Sequence, residues 1–357
     1  MLIYILNFVS IFLYGLLIKN KKLFVALASI QLFLILALRD PLLGVDNAVY
    51  MAGYDYISEL SFADMLSRLH LIKTADLVYP FAFESGYAVI NWIVAALGFN
   101  FHGFLILYAA FCTFALGRFV YKYSEDAMLS VIMFVSMGFF IYMFGILRQT
   151  IVLALFLLAI PLIKDRKITK FLAVCLIAFT IHRLSIIIVP LYFVYNIKIT
   201  KKRFVGIGML LLAFFAVSPL IANYVIKPLL SLFGKSSYDI SFNLNSYIFI
   251  MVFLALMILL FASFDEQFVN NPDGNFLCWC FVYAILIEIV GLYNDVIARA
   301  MFVPYVAVII LIPNILKKYK HTGIAVIGKG LLIVLLFAFM IFTLQGDFVN
   351  PYVSCFK

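Results

Sequence analysis

The chain has 357 residues, 66% of them hydrophobic and only 12% charged, with a formal net charge of +9. Soluble domains carry about 25% charged residues, so this composition, with a mean hydropathy of +1.15, excludes an ordinary soluble enzyme. Apolar runs separated by short basic clusters indicate a polytopic helical membrane protein; a β-barrel would alternate in segments of about ten residues, and a nucleic-acid binder would not scatter its charge through short loops.

A helix needs about 20 apolar residues to cross the hydrocarbon core. The first two expected spans are 1–18 and 23–38; the first lacks a basic leader and a small-residue cleavage site and reads as a span, not a signal peptide. An outer loop, 39–84, follows. It opens with "LRDPLLGVDNAVY", Leu38–Tyr50, which puts Arg39, Asp40 and Asp46 at the rim of a span. Within it, Ser61 with Asp64 three residues on predicts a capped amphipathic helix over Ser61–Leu69 lying on the membrane. Ser85–Gly98 is only about 14 residues, and Tyr87 and Trp92 suit an interface, so this segment is expected on, or re-entering, the outer surface.

A span over 103–121 comes next. Ala127–Ile163 has a single charge, Arg148, and would be about 55 Å long as one helix, so two helices with a tight turn near Gly145–Gln149 are expected. Ile168–Tyr195 is flanked on both sides by basic clusters (164–170 and 198–203). It should therefore leave and return, with His182 and Arg183 at its outer apex. Spans over 204–222, 246–263, 275–292, 298–314 and 323–343 complete the chain, with a second outer loop at 223–245. If Ser85–Gly98 does not cross, 16 of the 26 Lys and Arg residues fall in cytoplasmic clusters; if it crosses, the later clusters flip outside. The expectation is one transmembrane domain, 1–357, of about 12 helices (11–13) with both termini outside. Four of the five cysteines lie in apolar runs, Cys355 lies in the tail, and no disulfide or zinc spacing is present.

This topology brings four isolated arginines to outer span ends: Arg39, Arg148, Arg183 and Arg299. Asp40, Asp46, Glu84, His182 and Asp295 accompany them. Arginine within a membrane span is costly, and its fixed bidentate fork suits phosphate oxygens, so the group suggests one anionic ligand such as a pyrophosphate. Each residue also has a structural reading. Arg39 can snorkel and pair with Asp40, Asp46 can cap a helix starting at Asn47, and Glu84 can pair with an arginine. Arg148 can bind backbone carbonyls at its turn, His182 can be a packed core histidine, and Asp295 can pair with Arg299 one turn on. Joint placement on one face favours the functional reading. No outer aspartate pair has the spacing of a metal–nucleotide site, so neither a metal nor a cofactor is expected.

"RDPLLGVDNAVY", "FESGY", "ILRQTI", "IHRLS" and "NDVIARAMFVPY" occur in an order that resembles EpsG-like, Wzy-type polysaccharide polymerases, from about Leu38 to Tyr305. Val45 stands where a threonine is common, and Arg183 where a neutral residue is usual. The resemblance implies an all-α membrane glycosyltransferase of GT-C-like architecture in the bacterial cytoplasmic membrane, its site facing outward. It would join undecaprenyl-pyrophosphate-linked oligosaccharides, as donor and acceptor, into polysaccharide. Membrane lipids are its surroundings, and a chain-length regulator protein is a further candidate partner. On this reading Arg39, Arg148, Arg183 and Arg299 hold the leaving pyrophosphate, with Asp40, Gln149 and Asp295 supporting. The base is Asp46, His182 or Glu84, with Asp46 and His182 ranked slightly ahead. Rival readings are a lipid-linked-glycan flippase, a membrane acyltransferase built on His182 and a glycan ligase. A flippase would favour charges near mid-membrane and an internal repeat, neither of which is visible.

Overall fold

The computed structural model describes residues 1–70, 83–226, 228, 250, 271–318, 323–345 and 348–356, and among these no strand forms. The chain divides into two compact units, 1–186 with 312–357, and 187–311.

The first unit opens with α1 (Leu2–Leu17) and α2 (Lys21–Ala37), the latter capped by the Asn20 side chain, which accepts from the Leu23 N–H. The segment expected as the outer loop, hereafter the outer loop, carries α3 (Asn47–Ser58) and α4 (Phe62–Ser67), and α5 (Ser85–Ala96) follows it. Ser61 caps α4 as its spacing from Asp64 predicts: its hydroxyl accepts from the Asp64 N–H at 3.1 Å and donates to Asp64 Oδ2 at 2.6 Å. The loop is tied down rather than splayed. Tyr54 donates to the Phe99 carbonyl at 2.7 Å, Trp92 Nε1 to the Leu60 carbonyl at 3.0 Å, and Ser85 Oγ bridges the backbone N–H and C=O of His70.

The long helix α6 (Phe101–Tyr123) runs against α2, where Gly117 lets the backbones approach: a Cβ there would collide with Ser29 Oγ. Two breaks interrupt 127–164. The expected one falls at Ile146, between α8 (Phe139–Gly145) and α9 (Leu147–Lys164). A second lies at Gly138, whose φ of +86° bends α7 (Ala127–Ser136) from α8 by 50°, and the uniformly apolar sequence gives no sign of it. α9 packs between α6 and α10 (Ile168–Ile181). As the flanking basic clusters predict, α10 stops before His182, whose backbone is extended, and a 3-10 helix takes over at Arg183–Ile188.

Polar contacts segregate to the two ends of this unit. At one end the loop after α6 gathers lysines: Lys21 donates to the Ser124 carbonyl, Lys317 pairs with Glu125 at 2.6 Å, and Lys329 pairs with Asp126. At the other end residues 349–355 fold back on the start of the outer loop. The Asp40 N–H donates to the Val353 carbonyl at 2.8 Å, the Cys355 N–H to the Leu38 carbonyl at 2.9 Å, and Tyr352 to the Ile35 carbonyl at 2.9 Å. Tyr4 and the Met1 amino group reach the same segment, at Val349 and Asn350. α2 ends and α6 begins at this second end, so the outer-loop helices between them make no net crossing.

In the second unit the helix Pro272–Gly291, capped by Asn271, packs with Lys201–Ala216 and with the short helices Asp295–Ala300 and Phe302–Tyr305. Asn275 ties the preceding loop by accepting from the Ile199 N–H at 2.8 Å and donating to the Ile197 carbonyl at 2.9 Å. Glu288 is buried in this helix.

Among the described residues five helices are long and apolar enough to cross a membrane: Phe101–Tyr123, Leu147–Lys164, Pro272–Gly291, Ile297–Lys317 and Val326–Leu344. The count reaches seven if each bent pair, 127–145 and 201–224, is one span. The protein is thus a helical polytopic membrane protein, and the described residues supply five to seven of the twelve spans expected. Three of the expected crossings are short helices, with 16 residues in α1, 17 in α2 and 14 in α10. The expected span 246–263 and nearly all of the loop 223–245 lie outside the described residues. Val326–Leu344 is only 11% buried, and its exposed Leu331, Val334, Leu335 and Phe342 match a lipid-facing surface.

Candidate functional site

Three segments far apart in sequence meet at the outer-loop end of the first unit. Glu84 occupies the N-cap position of α5 with extended backbone and makes no side-chain cap bond, which leaves its carboxylate free to face neighbouring elements. One carboxylate oxygen, Oε2, pairs with Arg148 Nη1; the other, Oε1, lies 3.1 Å from His182 Nδ1 and accepts a long 3.4 Å contact from the Arg183 N–H. On its far edge His182 Nε2 is 3.1 Å from Gln149 Nε2. An ionised carboxylate only accepts, so the imidazole presents Nδ1–H to Glu84 and, when neutral, its Nε2 lone pair takes the Gln149 N–H. The side chains of Glu84, His182 and Arg148 keep 9%, 17% and 23% of their surface, so the group is recessed yet open at the arginine.

Local structure explains the convergence. The break at Ile146 starts α9 immediately before Arg148 and Gln149, which therefore project together from its first turn. Gly44, with φ +139°, lies so close to this break that a Cβ would overlap the Phe144 carbonyl, and Gly145 in turn has the Val45 N–H at 2.9 Å from where its own Cβ would stand. Two glycines thus dock the outer loop backbone-to-backbone on the break. On the other side Gly86 admits α10: a Cβ there would collide with the Thr180 side chain and stand 2.8 Å from its carbonyl carbon, two residues before His182.

The Arg148 guanidinium sits in an aromatic box, 5.6, 5.5 and 6.0 Å from the ring centres of Tyr50, Phe83 and Tyr87. Its Nε donates to the Tyr50 hydroxyl at 3.4 Å. Burial alone would raise the Glu84 carboxyl, but the hydrogen bond to His182 and the charge of Arg148 outweigh it and hold the group at about 2. Burial likewise pushes the Tyr50 phenol up, so it accepts from Arg148 as a neutral hydroxyl.

The remaining candidates are placed differently. Arg39 is fully enclosed: it donates from Nη1 to the Met143 carbonyl at 3.2 Å and lies over the rings of Tyr108 and Phe144. Tyr108 donates to the same carbonyl at 2.9 Å, so both residues satisfy a group freed by the end of α8. Asp40 accepts from the Leu42 N–H at 2.9 Å, an Asx-type turn. Asp46 is half-buried at the N-cap position of α3, without a side-chain cap bond and one turn from Tyr50. Arg183 is half-buried and touches Glu84 through its backbone. Arg299 is exposed on the short helix Asp295–Ala300 of the second unit, which Asp295 opens. Among the described residues no group of three or more His, Cys, Asp and Glu side chains is arranged to hold a metal ion.

Sequence reading did not single out the aromatic box or Gly86. The signal was present in "FESGY", in which Phe83, Glu84, Gly86 and Tyr87 all take part. Its short length masked a packing role that only the partner segments reveal.

The family model described as the EpsG family matches residues 22–354, nearly the whole chain. No curated protein and no solved structure matches.

Proposed function

This chain belongs to the EpsG family, and from that membership we propose that it polymerises undecaprenyl-pyrophosphate-linked oligosaccharide repeat units on the outer face of the bacterial cytoplasmic membrane, as a GT-C-like glycosyltransferase of about 12 spans. A chain-length regulator protein is the partner class that this activity would add. The observation that carries the reading at residue level is the Arg148–Glu84–His182 cluster, a cation, a carboxylate and an imidazole at the end opposite the lysine clusters.

In the reaction the acceptor hydroxyl gives its proton to His182 Nε2 and its oxygen bonds to C1 of the donor sugar. The bond between C1 and the phosphate oxygen breaks, and the lipid pyrophosphate leaves with the electron pair. His182 suits the base better than Glu84, because a carboxyl held near 2 is a weak proton acceptor. The Gln149 amide must give way to the acceptor hydroxyl at Nε2. Arg148, with its exposed edge, is the first ligand for the leaving pyrophosphate; Arg183 is a further ligand, and Asp46 is an alternative proton acceptor. The enclosed Arg39 serves better as a support for the break ahead of Arg148 than as a ligand.

The test is to supply purified protein with lipid-linked repeat units. A ladder of longer lipid-linked glycans is expected. Transfer of a single block to another acceptor would indicate a ligase, and movement across the bilayer without covalent change would indicate a flippase.

A further inference from the structure

Glu84 is shared. Its Oε2 pairs with Arg148 and its Oε1 faces His182 Nδ1 at 3.1 Å, so one negative charge serves two positively chargeable partners. While that pairing holds, Arg148 neutralises most of the charge, and little is left to stabilise an imidazolium. Yet Arg148 is the partner an incoming anion reaches first. It spends Nη1 on Glu84 and Nε on a long contact to Tyr50, while part of its side chain stays open.

We propose that Glu84 is a positioning residue that couples the two substrates: binding of the donor's pyrophosphate at Arg148 withdraws that cation from Glu84, and the released carboxylate charge makes His182 a stronger proton acceptor. This rests on the polymerase reading for the identity of the anion, but its geometry is that of the cluster alone. A base strengthened only when donor is present would leave the acceptor hydroxyl unactivated in the donor-free site, where there is nothing for it to attack.

The groups facing His182 narrow the source of such a change. Glu84, ahead of α5, is in contact and Arg183 is adjacent; on the other side of Glu84 stands Arg148, on α9, with the Tyr50 and Tyr87 rings, from α3 and α5, against it. The tyrosines stay neutral across the relevant range because burial raises both phenols. Arg183 touches Glu84 through its backbone N–H alone, so its side chain takes no part in the charge pairing of Glu84 with Arg148, and the Glu84→Gln variant below separates the two contributions. Glu84 and Arg148 are left as the pair whose mutual neutralisation an anion changes.

The chain has four histidines, so replacing His70, His102 and His321 by Gln leaves His182 as the one imidazole signal in an NMR titration of the purified protein. Inorganic pyrophosphate is the probe. Saturating it should raise the His182 titration midpoint by about one to two pH units, the order expected for unmasking one nearby charge at an effective dielectric of about 20. In Glu84→Gln the shift should fall below half the parental value, since only the direct field of the anion remains. In Arg148→Gln the midpoint should already be raised without pyrophosphate and should respond little to it. A full shift in Glu84→Gln, or none in the parent, overturns the coupling. Ladder formation is scored separately. A ladder without the shift refutes the coupling and leaves the polymerase reading standing, whereas the shift without a ladder refutes the polymerase reading and leaves the coupling as a property of an anion site.

Discussion

At the scale of single residues, a guanidinium fork and an ammonium point charge are not interchangeable where two phosphate oxygens must be held. Arg148→Lys is therefore expected to keep the charge beside Glu84 yet lose most polymer formation, measured as ladder length per amount of folded protein; near-normal ladders would assign Arg148 a purely structural role. His182→Gln should cost about 10²–10⁴ in turnover with donor affinity little changed, as for loss of a general base. Asp46→Asn, outside the hydrogen-bonded cluster, should cost less, and equal losses would return Asp46 to candidacy. Glu84 also carries a stability signature. Its carboxyl is lowered from 4.5 to about 2, so it contributes about 3 kcal/mol that is fully present above pH 4.5 and lost as pH falls through 2. Glu84→Gln should be less stable at neutral pH and lack that acid transition, as read by thermal unfolding in detergent. The charge of Arg148, Glu84 and His182 against an apolar background made them legible in the sequence. Arg39 looked identical by the same criterion, and what distinguishes it is enclosure by Tyr108, Phe144 and a tail more than 300 residues away, which no local pattern encodes.

At the scale of elements, the site depends on how closely helices approach. Gly86 is where α5 meets α10, and a methyl there presses on the Thr180 backbone as well as its side chain, so relief requires moving a helix. Gly86→Ala should separate Glu84 from His182 and reduce turnover strongly while much of the fold survives. Gly98→Ala is the matched control: its φ of +87° makes the substitution strained, but nothing lies within 4 Å of the added carbon, so about 1 kcal/mol of stability and little activity should be lost. Equal activity losses would indicate that backbone strain, not the α5–α10 distance, governs. The break at Ile146, the cap at Ser61 and the end of α10 at His182 were readable, because a lone charge, a capping pair and flanking basic clusters announce them. The bend at Gly138 was not, because one glycine in an apolar run fits a straight helix equally well.

At the scale of the whole molecule, the separation of lysine clusters from the Glu84 cluster predicts which ends share a membrane side. With Cys355→Ser as background, an impermeant thiol reagent should label Asp55→Cys in intact spheroplasts and Asp165→Cys only after permeabilisation; both positions are exposed. The reverse pattern would put the candidate site in the cytoplasm and remove the outer-face reaction. Hydropathy reads apolar content but not where a helix ends, so it did not announce that three of the expected crossings, α1, α2 and α10, form helices of only 16, 17 and 14 residues.

The segment 349–355 has a bearing on how the protein is made. It supplies the carbonyl that receives the Asp40 N–H and the N–H that reaches Leu38, and it holds the amino end through Tyr4 and Met1. Its partners Leu38 and Asp40 leave the ribosome more than 300 residues ahead of it and must wait for it to arrive. This end of the first unit therefore closes only after the intervening helices have been made, and until then Arg39 and the backbone of Leu38 and Asp40 lack the partners that enclose them.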